Sequence, residues 1–203
     1  MRILAVADES ARKYYDFYRP GILDEFDLII GCGDLSREYL EFLVTLAHCP
    51  LIYIHGNHDE AFVENPPEGC ICIEDTIFEY QGIRFLGLGG SYRYKKEGTY
   101  LYTEGQMKFR ILKLLPKLVF KKGFDVLVSH APPYSFGDQE HLPHRGFHCF
   151  EDLLIEYRPS IMLHGHIHLN YGYKIPQQYQ YQNTTIYNAY EYCIIEIKNN
   201  KGE

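Results

Sequence analysis

Leu51-Ile52-Tyr53-Ile54-His55-Gly56-Asn57-His58-Asp59 joins an apolar run to an amide, an imidazole and a carboxylate through a single glycine. The run reads as a buried strand. Gly56 lets the chain bend tightly behind it, so that Asn57 and His58 can both face the space beyond the strand end. Taken alone, the same residues also describe a polar turn in which Asn57 and Asp59 satisfy backbone groups. The rest of the chain decides between the two, because other apolar runs end in the same way.

Residues 3–7 form such a run and lead into Asp8-Glu9-Ser10, and residues 28–30 lead through Gly31-Cys32-Gly33 into Asp34. Residues 126–128 lead into Ser129-His130, and 161–163 into His164-Gly165-His166-Ile167-His168. Helices are expected between them: over 12–18, and after a Ser36 cap through Leu40, Leu43, Val44 and Ala47. A Thr103–Gln106 capping box opens another through Met107, Ile111, Leu114 and Leu115, ended or kinked at Pro116, and a further one covers about 150–157. Shorter strands are expected over 70–73, 77–80 and 83–88, with Gln81-Gly82 as a hairpin turn. The C-terminal remainder reads as antiparallel strands over 171–175, 185–188 and 192–197. In open α/β sheets, functional groups gather just beyond the carboxyl ends of the strands.

The 203 residues, without repeats or an interdomain linker, are read as one domain spanning 1–203. A hydrophobic content of 46% with 23% charged residues is ordinary for a globular core, and the net charge of -7 argues against a broad basic face for long nucleic acid. It leaves room for a small phosphorylated ligand, since bound cations supply positive charge locally. The six cysteines include no CxxC pair, so reduced thiols in a cytosolic protein are expected rather than a disulfide framework or a cysteine metal cluster. Neither a leader peptide nor an apolar run of membrane-spanning length is evident. The expectation is a soluble, cytoplasmic protein with no membrane partner.

The strand ends supply Asp8, Asp34, Asn57, His130, His166 and His168. Individually these have plain explanations, such as a helix cap for Asp34 or a solvated turn for His130. Together they form a mixed set of carboxylate, amide and imidazole donors, which suits manganese, iron or zinc. Asp34 can offer its carboxylate to two cations, and two metals about 3.5–4 Å apart clamp a phosphate and acidify water. His166 and His168 share one side of an extended segment, so each can serve a different metal. His58 follows a ligand without being one, and its imidazole is placed to stabilise charge or protonate a leaving oxygen.

In their order along the chain, Asp8-Glu9-Ser10, Gly33-Asp34, Gly56-Asn57-His58-Asp59, His130 and Gly165-His166-Ile167-His168 resemble the motifs of the calcineurin-like metallophosphoesterase superfamily, DxH, GD, GNHD/E, a lone His and GHxH. The resemblance implies a four-layer αββα sandwich, two mixed sheets flanked by helices. It also implies two divalent metal ions, manganese first, with iron, zinc or nickel as alternatives. Asp34, Asn57, His130 and His166 would form one site, and Asp8, Asp34 and His168 the other. His58 matches the catalytic histidine of the family, and the expected substrate is a small phosphodiester or phosphomonoester. Leu35-Ser36-Arg37-Glu38 follows Asp34 in place of the signature of the protein phosphatases, which points to the small phosphodiesterase-like branch.

Ser10 stands where the first motif carries its histidine. A neutral hydroxyl is a poorer ligand than imidazole, so the first site is expected to be weak or completed by water, and Glu9 can substitute only where the strand has already turned. This departure supports an alternative reading, a phosphoesterase-like binding scaffold without turnover, against which the retained His58 weighs. Arg93, Tyr94, Lys95 and Lys96 either meet the substrate or form a solvated loop. Asp138, His141, His144 and Arg145 form either a lid or an exposed polar loop. His55 and His164 are expected to be structural, with support of the neighbouring ligands as the other option. The 19 tyrosines suit strands first, with nucleotide stacking or a homo-oligomer interface as alternatives.

Overall fold

A computed structural model describes residues 1–138, 141–169 and 175–197. All but the last residue of the strand expected over 171–175 lies outside the described residues. The first half contains β1 (Arg2–Val6), β2 (Leu28–Gly31), α1 (Arg37–Leu46), β3 (Leu51–Tyr53), β4 (Ile71–Cys72), β5 (Ile77–Tyr80) and β6 (Ile83–Leu88). Next come β7 (Ser91–Tyr92), β8 (Leu101–Tyr102), α2 (Glu104–Lys121), β9 (Val126–Ser129) and α3 (His148–Tyr157). The chain then forms β10 (Ile161–His164), β11 (Gln178–Tyr181), β12 (Thr184–Asn188) and β13 (Cys193–Glu196).

Two mixed sheets result, ordered β13-β1-β2-β3-β4 and β11-β12-β10-β9-β6-β5, with β7 and β8 pairing separately. Ile3, Ala5, Leu28, Ile30 and Ile52 of the first sheet meet Phe85, Val126, Val128, Ile161 and Leu163 of the second in a shared core. The alternate residues face outward. Leu4, Val6, Ile29, Leu51 and Tyr53 pack with Tyr39, Leu40 and Leu43 of α1. Leu86, Leu127, Met162 and Ile186 pack with Met107, Leu114 and Leu118 of α2 and with Phe150 and Leu153 of α3. Both faces of each sheet are covered, which is why the strands read as unbroken apolar runs. Each buried aliphatic side chain contributes about 1.5–3 kcal/mol. The layers are those expected of an αββα sandwich.

Ser36 caps α1 by accepting from the Tyr39 N–H, and Thr103 and Gln106 form a reciprocal capping box on α2. Pro116 neither ends nor interrupts α2 as a recognised element, which continues to Lys121. Pro116 lies on the exposed side of the helix, where water can serve the Leu112 carbonyl that it leaves without a donor. The helix expected over 12–18 is instead a series of turns. Tyr14 is buried against Phe26 and Tyr192, while the next residue, Tyr15, packs on Tyr39 and Phe42. Anchoring two consecutive side chains this way leaves no regular apolar stripe. The C-terminal strands are mixed rather than antiparallel throughout: β12 runs parallel to β10 and antiparallel to β11, and β13 is antiparallel to β1. No helix among the described residues is long and apolar enough to cross a membrane.

β1, β2 and β3 are parallel, as are β9 and β10. The loops after these five strands therefore leave their sheets at the carboxyl ends, and their polar residues meet.

Candidate metal centre

His130, fully buried after β9, has its Nδ1 2.8 Å from the Cys32 carbonyl oxygen. A carbonyl only accepts, so Nδ1 carries the hydrogen and Nε2 presents a lone pair. That lone pair lies 3.2 Å from Asn57 Oδ1 and 3.3 Å from Asp34 Oδ2. Three electron-pair donors facing one another call for a cation between them. Without a metal the imidazole takes up a proton. Burial opposes this, but Asp34 outweighs it and holds the His130 pKa up at about 9. In return His130 overcomes the effect of burial on Asp34 and holds its carboxyl down at about 2.

The backbone pays for this convergence. Asp8, Asp34 and His166 have φ values of 65°, 55° and 67°, in the left-handed region. Such a conformation costs about 1–2 kcal/mol per residue. Specific bonds hold it. The Asp34 N–H donates to Asp59 Oδ2 (2.9 Å), which also accepts the Gly56 N–H (2.6 Å). The His58 N–H donates to Asp34 Oδ1 (2.7 Å), and the His166 N–H donates to the Asp8 carboxylate (2.9 Å to Oδ2). Burial pushes Asp59 up to about 6. Gly56 has no room for a side chain, since a Cβ there would strike Asp34.

His166 Nε2 lies 2.7 Å from the Pro143 carbonyl, to which it donates, so its Nδ1 lone pair remains for the centre. Burial takes its pKa down to about 3, which favours the neutral, ligating form. Ligand atoms of Asp34, His130 and His166 all lie within 4.8 Å of one another. Asp8 and His168 form a neighbouring pair, with His168 Nε2 3.8 Å from Asp8 Oδ1. Burial raises the Asp8 carboxyl to about 7.

Above these groups lies a cavity of about 340 Å³, lined by Asp8, Asp34, Asn57, His58, His166 and His168 together with Tyr94, Pro143 and His144. His130 is buried beside the site rather than in the lining. Asn57 is also buried, whereas His58 is exposed. All seven residues singled out from the sequence thus meet in one place, and their donor chemistry fits divalent cations.

Ser10 does not line the cavity. The chain has already turned at Asp8, and the Glu9 N–H closes a tight turn on the Ala7 carbonyl (2.7 Å). The Glu9 carboxylate accepts from the Tyr190 hydroxyl, and the Tyr190 ring lies 4.8 Å from that of His168. Of the two candidate loops, each brings one aromatic side chain to the cavity, Tyr94 and His144. Arg93 is tied to the Leu101 carbonyl, and Lys95 stands over the Tyr94 ring. Arg145 sits over the rings of Tyr92 and Tyr134, and Asp138 accepts from the Gly146 N–H. His164 is buried and bonded to the Gly165 carbonyl. His55 pairs with Glu74 and stacks on Tyr100 at 4.5 Å.

Sequence reasoning missed the carbonyls of Cys32 and Pro143, which orient two imidazoles, since any residue type can offer a carbonyl. It also missed Glu74, which accepts the backbone N–H groups of His55 and Gly89 and pairs with Arg110.

The profile of the calcineurin-like phosphoesterases matches residues 1–170. The chain belongs to that family. It is therefore a metallophosphoesterase, a hydrolase of phosphoric esters, and the family implies divalent metal ions. An uncharacterized protein of Haemophilus influenzae is 24% identical over 201 residues, covering 83% of this chain and 85% of its own length. Another from Methanocaldococcus jannaschii is 25% identical over 187 residues, covering 83% and 80%. The solved structure of TT1561 from Thermus thermophilus shares the fold, with a TM-score of 0.58 at 16% identity over 94% of this chain and 89% of that one.

Proposed function

We propose that this phosphoesterase hydrolyses a small phosphodiester or phosphomonoester at a dinuclear centre, with His58 assisting the leaving group. The convergence of Asp34 Oδ2, Asn57 Oδ1 and His130 Nε2 lone pairs carries this reading. Asp34, Asn57, His130 and His166 would hold one cation, and Asp8, Asp34 and His168 the other. Manganese suits the mixed donors, with iron, zinc and nickel as competitors. Bound there, the cations supply charge for the phosphoryl oxygens and lower the pKa of water.

The chain's own groups do the rest. Asp34 would be shared by the two cations, and its carboxylate is kept ionised by its neighbours. His58 rides on the turn that carries Asn57, tethered through its N–H to Asp34 Oδ1, with its imidazole exposed at the cavity. From there it can give a proton to the leaving oxygen or offset developing charge. Among the described residues the lining holds no Lys or Arg, and a phosphodiester, with one charge, suits such a wall better than a dianionic monoester. The net charge of -7 disfavours long nucleic acid as substrate. All six cysteines are unpaired, which supports a reducing, cytoplasmic setting.

The test is turnover of bis-p-nitrophenyl phosphate and p-nitrophenyl phosphate by metal-loaded protein. Activity should favour the diester, vanish with chelator and return with manganese. Metal-loaded protein that is inactive on a broad panel of phosphoesters would overturn the reading.

A further inference from the structure

α2 is apolar on two sides. Met107, Leu114 and Leu118 are buried against the second sheet, as a helix packed on a core requires. Phe109, Leu112, Leu115, Pro116, Val119 and Phe120 recur at helical spacing on the side turned away from it and are exposed, Phe120 by 83% and Val119 by 74%. Ile155 of α3 extends this patch across a groove of about 600 Å³ between the two helices. Of the ten large hydrophobic residues exposed among the described residues, six thus share one face. Hydrophobic residues scattered singly over a surface are ordinary, whereas a contiguous patch marks a contact surface.

We propose that two copies of this chain pair through the outer face of α2, about a two-fold axis that runs along the helix. The area is sufficient. With about 150–250 Å² for a whole aromatic side chain and somewhat less for an aliphatic one, the patch exposes on the order of 600 Å². A pair would bury about 1,200 Å² of apolar surface, which reaches the range of stable interfaces before any polar rim is added.

The charges choose the axis. Glu104 of α2 accepts the N–H groups of His148 and Cys149 at the start of α3, and Lys108 lies 4.0 Å from Asp152, so the two helices run the same way with their turns matched. The next turn sets Glu156 level with Leu112, and both line the groove. Lys113 stands at that level on the other flank of the stripe, its ammonium 4.5 Å from the centre of the Phe109 ring. A two-fold axis along α2 exchanges the flanks and keeps the level, so Lys113 of each copy faces Glu156 of the other. An axis across the helix would set lysine flank against lysine flank. A membrane surface suits this face less well, since Lys108 and Lys121 are matched by Asp152 and Glu79 and the chain carries a net charge of -7. None of these residues lines the metal cavity, so the pairing stands independently of the reaction assigned to it.

The test is sedimentation velocity of the full chain from micromolar to submillimolar concentration, with circular dichroism to check that each variant is folded. Wild type should sediment as a dimer that dissociates on dilution. Leu112→Glu/Phe120→Glu, which changes only exposed side chains, should be monomeric throughout. Lys113→Glu should weaken the dimer by about tenfold, and the charge swap Lys113→Glu/Glu156→Lys should restore it. A wild type that stays monomeric at every concentration would overturn the proposal, and so would a dimer that survives Leu112→Glu/Phe120→Glu. A dimer indifferent to Lys113→Glu, or not restored by the swap, would overturn the axis along α2. Monomeric wild type that co-sediments with phosphatidylcholine–phosphatidylserine vesicles would replace the second copy by a membrane surface.

Discussion

Asp59 Oδ2 stands 2.9 Å from the backbone nitrogen of Asp34, which precedes it by 25 residues, and it holds the Asp34 backbone in its left-handed conformation. The same oxygen takes the Gly56 N–H. Asp59→Ala leaves two N–H groups without their acceptor and should cost about 2–3 kcal/mol in urea unfolding. Metal affinity should fall by about tenfold or more, since Asp59 acts on ligands rather than on the metal. Asp59→Asn keeps an acceptor at the same place and should lose less on both measurements.

His58→Ala should lower kcat by between about 10² and 10⁴ while calorimetry still counts the same number of metal ions. Loss of an ion would move His58 from catalysis to ligation.

Asp34→Asn removes the charge that both cations would share. Turnover should drop by more than about 100-fold, beyond the range seen when a residue supporting a ligand is lost. Retained two-ion binding with full activity would contradict the bridging role.

In chelator, stability should depend on pH through His130. Its folded pKa of about 9 lies above the ordinary 6.5. The contribution is thus complete below about pH 6.5 and disappears as pH rises through about 9, on the order of 3 kcal/mol in all. Asp34 works at the acid end, where its contribution, present above about pH 4, is lost as pH falls through about 2. Thermal unfolding between pH 6 and pH 9.5 checks the alkaline loss. Bound manganese should reduce it, because the cation then takes the place of the proton.

Arg110 lies against Glu74 and Asp75, and Glu74 in turn holds the backbone N–H groups of His55 and Gly89. Arg110→Ala strands a largely buried carboxylate and should destabilise the fold by about 3 kcal/mol, read from the denaturant midpoint. A double variant that also neutralises the carboxylate, Arg110→Met/Glu74→Gln, should recover part of that loss.

The strand ends that carry the candidate ligands were legible in the sequence because a strand buried on both faces is written as an apolar run, and a polar residue at its end breaks the run conspicuously. α1 and α2 were legible from Ser36 and Thr103, whose capping is local chemistry. What escaped is set by distant contacts. The turns around Tyr14 and Tyr15 follow from partners such as Phe42 and Tyr192. The strand Gln178–Tyr181 has a polar, half-exposed composition that its neighbour β12 recruits. His144 was visible only as one polar residue on a loop. Its approach to the cavity depends on Pro143, whose carbonyl leaves no trace in residue type.

The bond from the His166 N–H to the Asp8 carboxylate joins residues 158 positions apart, and β13 closes the free edge of β1 from still later in the chain. A nascent chain on the ribosome can pair β1, β2 and β3 early, because those contacts are comparatively local. Asp8 would then wait, its strand open on one side, until residues beyond 161 have been synthesised. The centre thus cannot assemble before residues 161–168 exist, and a product terminated before them would present Asp8, Asp34 and Asn57 without His166 and His168.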